Sequence, residues 1–186
     1  MIGLKNFLKF FCLVTFIVTL MAESVFAEGI YPDTLDSGNL VLVDGGMGVG
    51  RYADRSSVKV QTYDPPNYQL SIRIVSVIFS NEYYSNHDTY IGGPYKIEDS
   101  YVRNFRYNWD RKVISYEYGN DNIWVDWDVN HDYSHAEGEP LIPNTAEVAF
   151  VSAYNMRFFD TKMRYSPGAK EHYRIISEDF YRTLNI

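Results

Sequence analysis

The sequence predicts an α+β fold in which a single antiparallel β-sheet packs against one or two C-terminal helices. Three observations carry this prediction: a long alternating strand pattern, short turns between the strands that follow it, and helical spacing near the end of the chain. Parallel strands need crossover connections of a dozen or more residues, which these short turns do not provide. Strands first and helices last is the element order of α+β proteins.

The longest strand pattern is YQLSIRIVSVIFS, residues 68–80. One of its faces carries four aliphatic residues (Leu70, Ile72, Ile74 and Ile78). The opposite face is polar up to Arg73 and apolar afterwards, as an alternating reading of the strand shows. We therefore expect one face to lie on the core throughout, and the other to be wet at first and then covered, as in a central strand partly overlaid by a helix.

Shorter strand patterns lie on both sides of this strand. NLVLVD (39–44) and SSVKVQTY (56–63) precede it, and a DPPN turn leads into it. After it, YVRNFRYNW, KVISYEY and NIWVDWDV follow one another across turns of two or three residues. Such spacing predicts an antiparallel meander.

Four glycines in VDGGMGVG, residues 43–50, raise the question of a phosphate-binding loop. A dinucleotide fingerprint needs a helix after the glycines, and a Walker loop needs Gly-Lys-Ser/Thr. Here a strand pattern follows and the Gly-Lys pair is missing. We interpret the glycines as a strand-to-strand connection.

The helical spacing begins late in the chain. In PNTAEVAFVSAYNMRFF, Asn144 fits an N-cap and Glu147 the third position of a capping box, so we predict a mostly buried helix over residues 145–159. SPGAKEHYRIISEDFYRTL places four apolar residues at helical spacing, and predicts a second, amphipathic helix (Tyr173, Ile176, Phe180 and Leu184).

The first 27 residues have the layout of a secretory signal peptide. Lys5 and Lys9 precede an apolar run at 10–22, and the segment ends at Ala27 in a sequence that fits a cleavage site. The run is shorter than the ~20 residues that a membrane-spanning helix needs. We expect a cleaved signal, no transmembrane segment after cleavage, and a location in the periplasm, at the cell surface or outside the cell.

Residues 28–38 are predicted to be an irregular lead-in, and residues 39–186 a single α+β domain. The one cysteine, Cys12, lies within the predicted signal, so the mature chain has no thiol, disulfide or Cys-bound zinc. The formal net charge is −7, and the basic residues do not form a cluster in the sequence. Nucleic-acid binding is therefore not expected.

The segment DWDVNHDYSHAE, residues 126–137, has oxygen ligands at the spacing of a calcium loop (Asp126, Asp128, Asn130, Asp132, Ser134 and Glu137). His131 occupies the position that should be glycine, and a strand and Pro140 flank the loop where helices belong. Two interpretations stay open: a solvated acidic loop, and a calcium-binding or hydrolytic site using residues 126–139. The sequence contains neither His-Glu-x-x-His nor Gly-x-Ser-x-Gly.

Aromatic residues on one side of the meander form the second candidate site (Tyr101, Phe105, Tyr107 and Trp109). Such a row can pack in the core, or it can form an exposed surface for a protein or glycan ligand.

The pieces and their order resemble the surface-adhesin protein E family of small exported bacterial proteins. The similarity covers roughly residues 40–160: YADRSSVKV resembles an early Asp-x-Ser-Ser strand, FRYNWDRKVISYEYGND an aromatic-rich hairpin, and PNTAEVAF a Pro-x-Thr helix start. Family members often carry a cysteine pair, which the mature chain lacks. The resemblance implies an antiparallel sheet packed against helices, export, and adhesin-like binding to extracellular proteins. With no catalytic motif found, we expect a non-enzymatic binding protein without a cofactor.

Overall fold

The computed structural model describes residues 31–46, 48–79, 95–119, 122–127, 141–166 and 170–186. The predicted signal peptide lies outside these ranges. Among the described residues, no helix is both long and apolar enough to cross a membrane.

Seven strands form one antiparallel sheet in chain order, which confirms the predicted fold class. The strands are β1 (Thr34–Leu35), β2 (Leu40–Gly46), β3 (Val49–Asp64), β4 (Asn67–Phe79), β5 (Tyr95–Asn108), β6 (Val113–Tyr118) and β7 (Ile123–Asp126). The predicted lead-in contributes β1 and a short 3₁₀ turn, Asp36–Gly38. Helix α1 (Leu141–Tyr154), a hairpin of β8 (Met163–Ser166) and β9 (Glu171–Arg174), and helix α2 (Glu178–Thr183) follow.

The central strand β4 has two buried faces, as its sequence predicts. Leu70 and Ile72 join the main core, to which α1 and α2 also contribute. On the opposite face Ser71 is also buried, but the buried hydrophobic residues begin only at Val75 and continue to Phe79. The N-terminal segment covers this second cluster through Tyr31 and Leu35. A helix covers the first face, whereas the lead-in covers the second.

The glycines form the hairpin between β2 and β3, which confirms their structural interpretation. Gly48 has a left-handed φ of +83°, a conformation that glycine adopts without strain. At Gly50 a Cβ atom would lie 2.7 Å from the Tyr52 ring. Glycine at this position allows the buried Tyr52 to lie flat against the strand.

Helix α1 begins four residues earlier than predicted and ends five residues earlier. Pro143 is compatible with its first turn, where backbone N–H groups have no partner within the helix. Asn144 is not the N-cap: it lies inside the helix, and its Nδ2 donates a 3.1 Å hydrogen bond to the Val43 carbonyl in β2. The helix stops at Tyr154 because Asn155 takes a left-handed φ of 52°.

Glu147 does not act in a capping box either. The residue is fully buried, and its carboxylate accepts hydrogen bonds from the Phe158 N–H at 2.7 Å and the Phe159 N–H at 3.2 Å. The Tyr181 hydroxyl donates a third, also 2.7 Å long. One carboxylate thus connects α1 to the turn that follows it and to α2.

The predicted second amphipathic helix is wrong over its first half. Residues Glu171–Arg174 form strand β9, and α2 covers only Glu178–Thr183. The helix starts at Ser177, whose hydroxyl accepts a hydrogen bond from the Phe180 N–H at 3.1 Å. Ser177, Glu178 and Asp179 together form a typical helix N-terminus. The prediction relied on the apolar spacing and did not use this signal.

Candidate functional site

The aromatic row on β5 is mostly core, so the predicted ligand surface is wrong at its centre. Phe105 is fully buried and Tyr107 is 2 % exposed. The Tyr107 hydroxyl donates a 2.9 Å hydrogen bond to the Ala146 carbonyl in α1. Trp109 is half-buried and stacks on Phe150, with ring centroids 5.7 Å apart. Tyr101, which precedes these residues in β5, is also half-buried.

The residues between these aromatics project from the other side of β5, because side chains alternate along a strand. No helix is part of the cluster buried on that side. The strand register aligns five polar residues directly across β3 to β7 (Thr62, Gln69, Arg106, Ser115 and Asp126). At ~4.8 Å between strands, the row is about 19 Å wide. We call this surface the polar face.

Amide side chains on the polar face form a continuous hydrogen-bonded chain. Gln69 donates to Gln61 at 2.6 Å, Gln61 donates to Asn104 at 3.0 Å, and Asn104 donates to Glu117 at 2.6 Å. The four residues come from four neighbouring strands. Each amide is oriented by its neighbour, so this part of the surface is organised before any ligand arrives.

Arg106 stacks on Trp124 next to this chain. The guanidinium carbon lies 3.7 Å from the centroid of the Trp124 ring. The indole N–H in turn donates a 2.8 Å hydrogen bond to Asn122. Arg106 forms no ion pair with any residue that the structure describes. Its charge is held in place and is available to a ligand.

A groove of about 380 Å³ runs beside this pair. Besides two tyrosines, its polar lining comes from strands β3 to β7 and the β5–β6 turn (Thr62, Asn67, Gln69, Arg106, Asn108, Arg111, Ser115 and Asp126). Sequence reasoning named only Asp126 among these residues, as a calcium ligand, and missed the others, although polar side chains alternate with the aromatics in YVRNFRYNW. That alternation identified two faces, and we assigned the ligand surface to the aromatic one.

Of the predicted calcium ligands, only Asp126 lies among the described residues; Asp128, Asn130, Asp132 and Glu137 fall outside them. The Asp126 carboxylate accepts a 2.5 Å hydrogen bond from the Ser115 hydroxyl. Within the described ranges, no group of three or more His, Cys, Asp or Glu residues is placed to hold a metal ion. The calcium loop stays a prediction.

The Asp-x-Ser-Ser stretch forms a polar cluster around one buried carboxylate on β3. Asp54 is 3 % exposed and accepts hydrogen bonds from the Ser56 N–H at 2.9 Å, the Ser56 hydroxyl at 2.6 Å and the Arg73 guanidinium. Burial raises the pKa of Asp54, but the Ser56 hydrogen bond and the Arg73 charge outweigh it and hold the pKa below its usual value. The strand register shifts between Asp54 and Lys59, so this cluster fixes a bulge.

Comparisons of the chain with protein-family models, with curated proteins and with solved structures found no match in any of the three. The chemistry of the polar face therefore has to be interpreted from its own residues.

Proposed function

We propose that this chain is an exported bacterial binding protein, non-enzymatic and adhesin-like, that acts in the periplasm, at the cell surface or outside the cell. Its ligand is a protein or glycan found outside the cytoplasm. The signal-peptide pattern supports export, and the resemblance to the adhesin family supports a binding role.

The observation that carries the proposal is the Arg106–Trp124 pair beside the groove on the polar face. Arginine and tryptophan are the residues most often responsible for binding energy in protein interfaces. A hydrogen bond to Asn122 holds the Trp124 indole, and the amide chain flanks the pair on neighbouring strands. Binding therefore needs little rearrangement of these side chains, which lowers its entropic cost.

A binding screen tests this proposal. The wild-type chain and an Arg106→Ala/Trp124→Ala variant are compared on immobilised glycans and extracellular-matrix proteins. We expect the double substitution to weaken binding by about thirtyfold or more, which corresponds to the ~2 kcal/mol typical of one such residue. Arg182→Ala, in exposed surface of α2, is the control and should bind as wild type.

Two results would contradict the proposal. One is that no glycan or matrix protein in the screen binds the wild-type chain. The other is that a bound ligand is retained equally by the double variant. Export is tested separately, by expressing the full chain in a bacterium and measuring the mass of the mature protein, which should begin at Glu28.

A further inference from the structure

The charge of the groove differs from that of the whole chain. The formal net charge is −7, yet the groove is lined by two arginines, Arg106 and Arg111, and by one carboxylate, Asp126. The Asp126 carboxylate is engaged by the Ser115 hydroxyl. Neither arginine forms an ion pair with a described residue. Two arginines against one carboxylate leave the groove with a net positive charge in an acidic protein, which suits an anionic ligand.

The position of Arg106 favours a carboxylate in particular. Stacking on Trp124 at 3.7 Å occupies one flat face of the guanidinium and leaves the N–H groups at its rim directed outward in the plane. Two such N–H groups match the two oxygens of a carboxylate. The indole also limits the rotation of the arginine, so less conformational freedom is lost when the pair forms.

The rest of the groove matches a hydroxyl-rich ligand better than a peptide. Gln69, Asn108 and Ser115 offer hydrogen-bond donors and acceptors, whereas Val113 is the one aliphatic side chain among the described lining residues. The groove lies on the face of the sheet and crosses several strands, so an extended peptide cannot add to it as a further strand.

We propose that the groove binds an acidic glycan, a polysaccharide whose sugar units carry carboxylates. The inference rests on the proposed function and narrows it. One sugar carboxylate pairs with Arg106, the positive charge of Arg111 favours the acidic chain as a whole, and the amides and Ser115 receive the hydroxyl groups.

The test uses the full mature chain and two oligosaccharides of equal length, one from hyaluronate, which carries uronates, and one neutral maltohexaose. Isothermal titration calorimetry should detect hyaluronate oligosaccharide binding at least tenfold tighter than maltohexaose binding. Arg106→Gln should weaken hyaluronate binding at least tenfold, since a charge-assisted hydrogen bond is lost. Arg182→Gln removes the same charge from α2 and should leave the affinity unchanged. Affinity should also fall as salt is raised.

The inference is overturned if hyaluronate binds no better than maltohexaose, or if Arg106→Gln leaves hyaluronate binding intact. Neither outcome by itself removes the proposed function. If a neutral glycan or a matrix protein still binds in an Arg106-dependent way, the polar face is a binding site with a different ligand. If no ligand depends on Arg106, both proposals fail. Circular dichroism of each variant confirms that it has folded.

Discussion

The buried carboxyl of Glu147 makes the stability of the protein depend on pH in an unusual direction. Burial raises its pKa from an ordinary 4.5 to about 7, although hydrogen bonds from Tyr181, Phe159 and Phe158 and the charge of Lys112 act to lower it. Between these two pH values the folded chain holds a proton that the unfolded chain has already released. The free energy of unfolding therefore falls as the pH rises through this window and levels off above it.

The size of the effect follows from the two pKa values. They differ by about 2.5 pH units, which at about 1.4 kcal/mol per unit corresponds to about 3.5 kcal/mol in full. About 3 kcal/mol of this is lost between pH 4.5 and pH 8, because the unfolded carboxyl is already half ionised at pH 4.5. In a domain of this size, that loss lowers the melting temperature by roughly 6–12 °C. Most carboxylates with lowered pKa values contribute the opposite slope, and they do so at lower pH.

Glu147→Gln isolates this contribution, because the amide fills the same space but does not titrate. The amide nitrogen of the variant will face a backbone N–H donor, and this costs stability at every pH. Because the amide does not titrate, its contribution to stability does not change with pH. Thermal or urea unfolding is measured from pH 4.5 to pH 8 for the wild type and the variant. We expect the stability difference, wild type minus variant, to fall by about 3 kcal/mol across the range.

The control is Glu98→Gln, on an exposed part of β5. It makes the same chemical change at the surface and shows how much of the effect comes from the substitution itself. If the Glu147→Gln difference is flat, or rises with pH, the carboxyl is ionised throughout and its three hydrogen bonds dominate over burial. The reasoning about its pKa would then be wrong.

Three further predictions follow from the structure. Asp54→Ala leaves the Ser56 and Arg73 donors without their acceptor and should cost about 2–3 kcal/mol in chemical denaturation; an unchanged midpoint would contradict its role in the bulge. Tyr107→Phe removes the buried hydrogen bond to Ala146 and should cost about 1 kcal/mol, with Tyr173→Phe, exposed on β9, as a control. Millimolar calcium should not raise the melting temperature; a rise that Asp126→Asn abolishes would instead support the calcium loop.

The sheet could be predicted from the sequence because its signals are local. The side chains of residues 70–79 point alternately to the two faces of the strand. On one face the sequence changes from polar at Arg73 to apolar at Val75, and this change marks where the second hydrophobic cluster begins. The hairpin glycines and the short meander turns likewise fix antiparallel pairing without knowledge of distant contacts.

The helices at the end of the chain were less predictable, because apolar residues at helical spacing can belong to one helix face or can be buried separately by tertiary packing. Ile176 and Leu184 are both buried, but they belong to a loop and to the end of α2 rather than to one long helix. Phe158 and Phe159 continued the apolar pattern of α1, yet they are core residues in the turn that Glu147 holds. Both errors arose because a residue can be buried by long-range packing while its local backbone is not helical.

The location of the candidate site was ambiguous for a related reason, because strand β5 has two faces and the sequence does not tell which of them is covered. An alternating pattern in β5 shows that aromatic residues share one face and polar residues the other, but either face can bind a ligand. The decision depends on α1, because Phe150 packs on the Tyr107 ring and the Ala146 carbonyl accepts the Tyr107 hydrogen bond, which places the aromatic face in the core. Once that face is covered, the polar face is the one with exposed side chains, and the two arginines of its groove, Arg106 and Arg111, have no ion-pair partner among the described residues. The helix thus determines which face of the sheet stays exposed without contributing a residue to that face, and this is why variants of Arg106 test the proposed function while variants of Tyr107 test stability.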